Sequence, residues 1–267
     1  MPIADLGASQ LYYKTHGEGP PVLGIMGFGL DQRFWSSQIA GVVGTHSFIT
    51  FDNRGVGRST GEPPQSIDEM AEDTIALLDH LGLEKTVLFG VSMGGAIAQR
   101  LVLAHPERVS ALILGITWAR PLDFMARQAA LGRLIIGAGG MDAFVQSTLV
   151  RMFTPQFFEV AGETLDRMVA AMFADNAPDP AAPEVLNAQL DAIAKHDTLE
   201  QLGDVSCRTL VFGGHMDVMV PGFASEEIAA AIPGAELTMF DTGHGCMVEE
   251  MDAVNARIAT FLRSLPS

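Results

Sequence analysis

Residues 86–95 read TVLFGVSMGG, an apolar run that ends in a glycine-rich turn around Ser92. The run is short and continuous, which is typical of a strand buried on both faces of a sheet. Residues 90–94 match the pattern G-x-S-x-G, and the helix-forming stretch from Met93 to Ala104 follows the serine. A serine on a tight turn between a strand and a helix has an exposed hydroxyl, so Ser92 is a candidate nucleophile.

Other apolar runs along the chain predict the remaining strands of a sheet. They lie at residues 21–25, 47–51, 111–114, 209–212 and 236–240, with an alternating edge strand at 11–14. Helical patterns separate them, and residues 66–69 have the spacing of a capping box at the start of one such helix. Strands that alternate with helices predict an α/β fold with a mostly parallel, doubly wound sheet.

The alternation stops between residues 119 and 203, where the sequence predicts helices and no strand. This stretch is rich in Met and Phe. We expect it to form a helical lid over residues 119–203, inserted into a core built from residues 1–118 and 204–267. Such a lid would roof a pocket at the carboxyl edge of the sheet, where open α/β folds bind their ligands.

The composition excludes several classes of protein. The 267 residues carry a net charge of −16, which disfavours nucleic acid and anionic membrane surfaces as partners. No apolar run reaches the roughly 18 residues of a membrane span. No basic segment followed by an apolar one opens the chain, so we expect a cytoplasmic protein. The expected partner is a small-molecule substrate, and a homo-oligomer is left open.

Neither a metal nor an organic cofactor is expected. His215 and Asp217 are close in sequence, but no second pair of ligands has metal-like spacing. No G-x-G-x-x-G motif opens a helix after a strand, as a dinucleotide site requires. The two cysteines, Cys207 and Cys246, are too few for a disulfide framework and are expected to be reduced thiols.

A serine hydroxyl becomes a strong nucleophile when a base removes its proton, and His244 is the best-placed base. It follows the last predicted strand, with glycine on both sides, in the segment DTGHG at residues 241–245. Asp217 follows the preceding strand, so both side chains are expected at one edge of the sheet. Asp217 would accept the second ring N–H of His244 and fix its tautomer. Asp241 is the nearest rival, but it lies very close in sequence to His244.

Acyl transfer also needs two backbone N–H groups that stabilise the developing oxyanion. Met93, directly after the serine, is expected to supply one of them. Phe28, in the GFG segment at residues 27–29 after an early strand, is expected to supply the other. The side chains expected to bind the substrate are Met26, Trp118 and Val220.

Taken in chain order, these segments resemble the α/β-hydrolase superfamily. The resemblance rests on GFG at 27–29, FDNRGVGRS at 51–59, the turn around Ser92, the loop of Asp217 and the pair Gly243-His244. It implies the α/β-hydrolase fold with a lid after the sixth strand, and a structural role without catalysis for residues 52–59. Within the superfamily, the chain is similar to small lid-bearing esterases and 3-oxoadipate enol-lactonase-like hydrolases. Many relatives have histidine where this chain has Met26, which implies a more apolar pocket floor.

The residues and the resemblance together predict a serine hydrolase. It would cleave a carboxylic ester or lactone of a small, largely apolar substrate through an acyl-enzyme on Ser92. Carbon–carbon bond hydrolysis and cofactor-free perhydrolysis use the same triad and remain alternatives. A ligand receptor that keeps the fold without catalysis is an alternative of a different class. Serine rather than aspartate at the turn disfavours an epoxide hydrolase or a dehalogenase.

Overall fold

The computed structural model describes residues 2–172 and 181–266, and the strands in these ranges form one sheet. In chain order they are β1 (Ile3–Asp5), β2 (Ser9–His16), β3 (Pro21–Ile25), β4 (Ser47–Phe51), β5 (Thr60–Gly61), β6 (Thr86–Val91), β7 (Val109–Gly115), β8 (Arg208–Gly214) and β9 (Glu236–Phe240). The order across the sheet is β1-β2-β4-β3-β6-β7-β8-β9, with β5 paired to β2. From β4 to β9 along this order the strands are parallel, whereas β2 pairs antiparallel with its neighbours. The mostly parallel sheet is therefore confirmed.

Helices connect the strands. They are α1 (Ser36–Val42), α2 (Ile67–His80), α3 (Met93–Ala104), α4 (Asp123–Met152), α5 (Pro155–Met172), α6 (Pro183–Lys195), α7 (Phe223–Ala231), α8 (Cys246–Glu249) and α9 (Met251–Arg263). The capping box at the start of α2 is in place, since the hydroxyl of Ser66 accepts the N–H of Glu69.

The parallel strands β3, β4, β6, β7 and β8 are buried along most of their length, and since successive residues of one strand point to opposite sides of a sheet, both of their faces are covered. Leu23 and Leu88 belong to a core cluster that includes side chains of α2, α3 and α7. Their neighbours Val22 and Val87 belong to a second cluster, with side chains of α1 and α9. Helices on both faces make this the doubly wound arrangement expected from the continuous apolar runs.

The helical segment, residues 119–203, contains α4, α5 and α6 and shows no strand among its described residues. It follows the seventh strand in chain order, one later than predicted. The count of seven includes the short strands β1 and β5, of 3 and 2 residues, neither of which was among the predicted strands. Residues 173–180 of the segment lie outside the described residues. Across the described ranges, no helix combines the length and the hydropathy needed to cross a membrane.

The topology brings four loops to one edge of the sheet. The strands β3, β6, β8 and β9 run parallel, so their carboxyl ends lie on the same side. The loops that follow them begin at Met26, Ser92, His215 and Asp241. Every residue predicted to take part in the chemistry lies on or directly after one of these loops.

Candidate active site

Ser92 lies on the turn between β6 and α3 with φ 53° and ψ −122°, a strained conformation for a residue other than glycine. Its N–H donates to the carbonyl oxygen of Gly115 at 2.9 Å, and the hydroxyl of Thr117 donates to the carbonyl oxygen of Ser92 at 2.8 Å. Position 94 requires glycine, since an added Cβ would lie 1.9 Å from the carbonyl oxygen of Ile25. The G-x-S-x-G pattern therefore reflects a close approach between this turn and the end of β3.

Asp217, His244 and Ser92 form a continuous chain of hydrogen bonds. Nδ1 of His244 lies 2.7 Å from Oδ2 of Asp217, and its Nε2 lies 3.2 Å from Oγ of Ser92. Oδ1 of Asp217 accepts the N–H groups of Met219 and Val220 at 2.7 and 2.9 Å, which fixes the orientation of the carboxylate. A histidine that donates its Nδ1–H to the carboxylate presents the lone pair of Nε2 to the serine hydroxyl.

Three residues close to the triad in sequence are placed differently. Asp241, the rival acid, is exposed, and so is His215. The thiol of Cys246 is fully buried, and burial raises its pKa above the usual range, which leaves it unreactive. Of the two candidate acids, Asp217 is therefore the one that contacts the histidine.

The helical segment and the chain after β9 hold the loop of His244. The N–H of Gly245 donates to the carbonyl oxygen of Met152, the last residue of α4, at 2.7 Å. The N–H of Gly243 donates to Oε1 of Glu249 at 2.9 Å. Since the peptide on each side of the histidine is held, the ring is anchored rather than carried on a flexible loop.

Gln128 on α4 holds the loop of Asp217. Its Nε2 donates to the carbonyl oxygens of Val218 and Met219, both at 3.0 Å. Nη1 of Arg151, near the end of the same helix, donates to Oε1 of Gln128 at 3.0 Å. The helical segment therefore contacts the loop of the acid as well as the loop of the base.

The oxyanion loop, residues 26–30, lies against the nucleophile. An added Cβ on Gly27 would lie 3.1 Å from Cβ of Ser92, so the loop approaches the serine as closely as a glycine allows. The approach brings the predicted donor Phe28, the residue after this glycine, to the neighbourhood of the serine. Met93, the other predicted donor, begins α3 directly after the serine. The predicted oxyanion hole would use the backbone N–H groups of these two residues.

The loop after β4 supports the oxyanion loop. Nδ2 of Asn53 donates to the carbonyl oxygen of Met26 at 3.0 Å. The carboxylate of Asp52 accepts the N–H of Gln32 at 2.7 Å and the N–H of Arg58 at 2.9 Å. Burial, opposed by hydrogen bonds to the carboxylate, raises the pKa of Asp52 to about 6.

A cavity of about 190 Å³ opens at Ser92 and His244. Its lining is predominantly apolar and comes from the core loops and from the helical segment. Met26 lies in the lining, as the prediction of an apolar floor requires, and Phe28 lies beside it. The helical segment contributes Phe144, Val145, Leu149, Met152, Phe153 and Leu186.

Two side chains expected to bind the substrate do not line this cavity. Trp118 is buried in the core, edge-on to His196 with 5.8 Å between the ring centroids. Val220 is buried as well, and its N–H is engaged by Asp217. The neighbouring Met219 lines the cavity instead. For Val220, closeness in sequence to Asp217 does not decide which of two successive side chains faces the cavity.

Two charged residues that sequence reasoning missed also line the cavity. They are Asp31 and Arg33, which follow the oxyanion loop. Nε of Arg33 donates to Oδ1 of Asp31 at 2.9 Å, and Nη2 donates to Oδ2 at 2.7 Å. These hydrogen bonds raise the pKa of Arg33 and leave the pair neutral as a unit. Two opposite charges at this spacing are too common in sequences to have been singled out.

Comparison with known proteins identifies the family. The sequence profile of the α/β hydrolase fold matches residues 20–250. The chain belongs to the α/β-hydrolase family. This hydrolase is 33% identical over 263 residues to a protein of Azorhizobium caulinodans named "Putative carbamate hydrolase RutD", with 98% of each chain covered.

Solved structures of two hydrolases are similar over nearly their whole length. The enol-lactonase of Burkholderia xenovorans LB400 superposes with a TM-score of 0.88 at 25% identity, over 98% of this chain and 100% of that one. A thermophilic esterase of Thermogutta terrifontis superposes with a TM-score of 0.85 at 29% identity, over 97% of this chain and 95% of that one. The predicted resemblance to esterase-like and enol-lactonase-like α/β-hydrolases is thereby confirmed.

Proposed function

We propose that this hydrolase is a serine hydrolase that cleaves a carboxylic ester or lactone through an acyl-enzyme on Ser92. The observation that carries the proposal is the hydrogen-bonded chain from Asp217 through His244 to Ser92, which ends at the apolar cavity. A buried acid, an oriented imidazole and a hydroxyl within reach of it are the parts that activate a serine.

The first half of the reaction forms the acyl-enzyme. Oγ of Ser92 attacks the carbonyl carbon of the substrate while Nε2 of His244 takes the hydroxyl proton. The carbonyl oxygen becomes an oxyanion that accepts hydrogen bonds from the N–H groups of Phe28 and Met93. The intermediate then collapses, the bond to the leaving oxygen breaks, and His244 returns the proton to that oxygen.

The second half releases the acid. A water molecule gives its proton to Nε2 of His244 as its oxygen attacks the acyl carbon. The bond to Oγ of Ser92 breaks, and the histidine returns the proton to this oxygen, which regenerates the free enzyme. Asp217 stabilises the imidazolium that exists while the proton is held.

The substrate class follows from the cavity lining, which favours small, uncharged and largely apolar molecules. The names of the similar proteins include a carbamate hydrolase, an enol-lactonase and an esterase. Carbamates, lactones and esters all present a carbonyl carbon bonded to oxygen. The similarity therefore supports a carbonyl substrate for this chain, and the apolar lining supports an ester or lactone within that class.

A fluorophosphonate probe tests the proposal directly, because it phosphonylates only an activated serine. We expect the wild-type protein to gain one probe, located by peptide mass spectrometry on Ser92, and to hydrolyse simple acyl esters. Ser92→Ala should show neither reaction while keeping the wild-type circular dichroism spectrum. A wild-type protein that labels no faster than Ser92→Ala would contradict the proposal and favour a ligand receptor.

A matched series of acyl esters tests the substrate class. Each buried CH₂ adds up to about 0.8 kcal/mol, so kcat/KM should rise a few-fold per methylene until the cavity is full. A half-ester of a dicarboxylic acid should be a poor substrate, since Arg33 in the cavity lining is already paired with Asp31, and Arg120 and Arg133 pair with Glu227 and Asp191 outside the cavity. Strong preference for the anionic half-ester would contradict the proposed class.

A further inference from the structure

The oxyanion loop receives a hydrogen bond from the helical segment. The N–H of Gly29 donates to Oε1 of Gln189 on α6 at 2.9 Å, across a sequence separation of 160 residues. The side chain of Gln189 is completely buried. A residue far away in sequence thus contacts the backbone one position after the proposed oxyanion donor Phe28.

The position of this hydrogen bond matters because the loop is a tight turn. The N–H of Leu30 reaches back toward the carbonyl oxygen of Gly27 at 3.5 Å, and Gly29 has φ 65°. In turns of this length the central peptide, here between Phe28 and Gly29, can rotate between two standard forms. A fixed acceptor for the N–H of Gly29 holds that peptide in one orientation.

The two ends of the loop are held from different parts of the molecule. Asn53 in the core holds the carbonyl oxygen of Met26, and Gln189 in the helical segment holds the N–H of Gly29. The peptide that carries the N–H of Phe28 lies between these two contacts. Both contacts are therefore needed to specify where that donor points.

Of the two polar atoms in the side-chain amide of Gln189, Oε1 accepts the hydrogen bond from Gly29. Among the described residues, no acceptor lies within hydrogen-bonding distance of its Nε2, although this atom is buried. A buried donor without a partner costs about 1–3 kcal/mol. An apolar side chain of similar size would fill the same space without that cost, so packing alone does not account for a glutamine here. The hydrogen bond that Oε1 accepts from the N–H of Gly29 accounts for the glutamine.

We propose that Gln189 is a positioning residue that orients the N–H of Phe28 toward the oxyanion. This inference rests on the proposed function, because it assigns a role in stabilising the intermediate formed on Ser92. The helical segment then takes part in catalysis through the oxyanion loop, in addition to lining the cavity. Its contribution belongs to the transition state and leaves substrate binding nearly unchanged.

The experiment compares Gln189→Met with wild type and with Asp191→Asn. Methionine keeps the length of the side chain but removes the acceptor. Asp191 lies two positions away on α6, is largely exposed and pairs with Arg133, so it is the matched control. The measurements are kcat and KM for one acyl ester, the affinity for a boronic acid that forms a tetrahedral adduct with Oγ of Ser92, and Tm.

We expect Gln189→Met to lower kcat by about ten- to a hundredfold, somewhat less than the loss of a whole oxyanion donor. KM should change less than about threefold, and the affinity for the boronic acid should fall in parallel with kcat. Asp191→Asn should match wild type in all three. If Gln189→Met does not fold, Gln189→Asn, which keeps the amide but withdraws it by one methylene, should show the same pattern.

The outcomes separate the two proposals. A folded Gln189 variant with wild-type kcat, or with a loss confined to KM, would overturn the role of Gln189 while leaving the proposed function intact. A boronic acid affinity that stays at the wild-type value while kcat falls would also overturn it, because the oxyanion site would then be undisturbed. A wild-type protein that neither labels with a fluorophosphonate nor turns over esters would overturn the proposed function itself.

Discussion

The core and the helical segment contribute differently to the candidate active site. The core loops carry the proposed triad and both proposed oxyanion donors. The helical segment supplies part of the apolar cavity wall and holds the same loops through Gln128, Met152 and Gln189. Among the described residues of the helical segment, no side chain takes part in the hydrogen-bonded chain from Asp217 through His244 to Ser92.

This difference separates chemistry from positioning. In the core, each reactive group sits where a strand ends, so its place is set by the sheet and by a few adjacent residues. The contacts from the helical segment join parts of the chain that are far apart in sequence, up to 160 residues in the case of Gln189. Removing a core group should therefore abolish a chemical step. Removing a contact from the helical segment should only lower the rate, because it disturbs the positions of the reacting groups without removing them.

The largest expected effect is the loss of the nucleophile or the base. Ser92→Ala and His244→Ala should each lower kcat by about 10⁶, as in other serine hydrolases, and the double variant should be little worse than either. Steady-state kinetics with one ester, together with circular dichroism to confirm the fold, provide the measurement. Losses that multiply in the double variant would mean that the two residues do not act as a unit.

The next effect is the loss of the acid. Asp217→Asn should lower kcat by about 10³–10⁴, because the amide no longer stabilises the imidazolium or its correct tautomer. Asp241→Asn is the matched control, since Asp241 lies on the histidine loop but is exposed. An inactive Asp241→Asn together with a fully active Asp217→Asn would show that the wrong acid had been named.

How much of the candidate site could be predicted from the sequence depends on how far apart in the chain the contacting residues lie. Ser92 was predicted because strain at a tight turn demands glycine at position 94, which leaves a local signal. Asp217 and His244 were predicted because they directly follow strands. Gln189 was missed because a glutamine on a helix carries no local signal, and its partner is decided only by how α6 packs on the core.

Which strands could be predicted from the sequence also depends on whether their own residues or distant ones decide the pairing. The long, continuous apolar runs predicted the parallel strands, since burial on both faces leaves few polar residues in them. The short strands β1 and β5 escaped because their pairing is decided by β2, which lies beside them in space. Trp118 and Val220 were expected in the cavity, and the packing of the core places both side chains outside its lining.

The core and the helical segment also differ in the charge of the buried polar groups that they place near the oxyanion loop. In the core, the loop that carries Asn53 also carries the buried carboxyl of Asp52, whose pKa is raised from 3.8 to about 6, whereas the helical segment contributes the neutral amide of Gln189. A raised pKa means that the folded state binds this proton more tightly than the unfolded state. Asp52 therefore stabilises the protein when protonated, and this contribution is lost as the pH rises between about 4 and 6 and beyond.

Urea unfolding at pH 5 and pH 7 measures this difference. Asp52 should make the free energy of unfolding about 1 kcal/mol larger at pH 5 than at pH 7, on top of the pH dependence of all other groups. Asp52→Asn should remove this component, and the exposed Asp241→Asn should keep it. An identical pH dependence in wild type and Asp52→Asn would show that the buried carboxyl titrates in the same range in both the folded and the unfolded state.

The smallest effect is expected from Gln128, which holds the acid loop from the helical segment. Gln128→Met removes the hydrogen bonds to the carbonyl oxygens of Val218 and Met219 but leaves those that the N–H groups of Met219 and Val220 donate to Asp217. Loss of one such half-buried contact is worth about 1 kcal/mol, so kcat should fall only about fivefold. The exposed neighbour Arg127, changed to Met, is the matched control on the same helix and should match wild type.

If Gln128→Met were as damaging as Asp217→Asn, a contact from the helical segment would count as much as a triad member, and the separation of chemistry from positioning would fail. Wild-type kcat in Gln128→Met would show instead that the acid loop is held by the core alone.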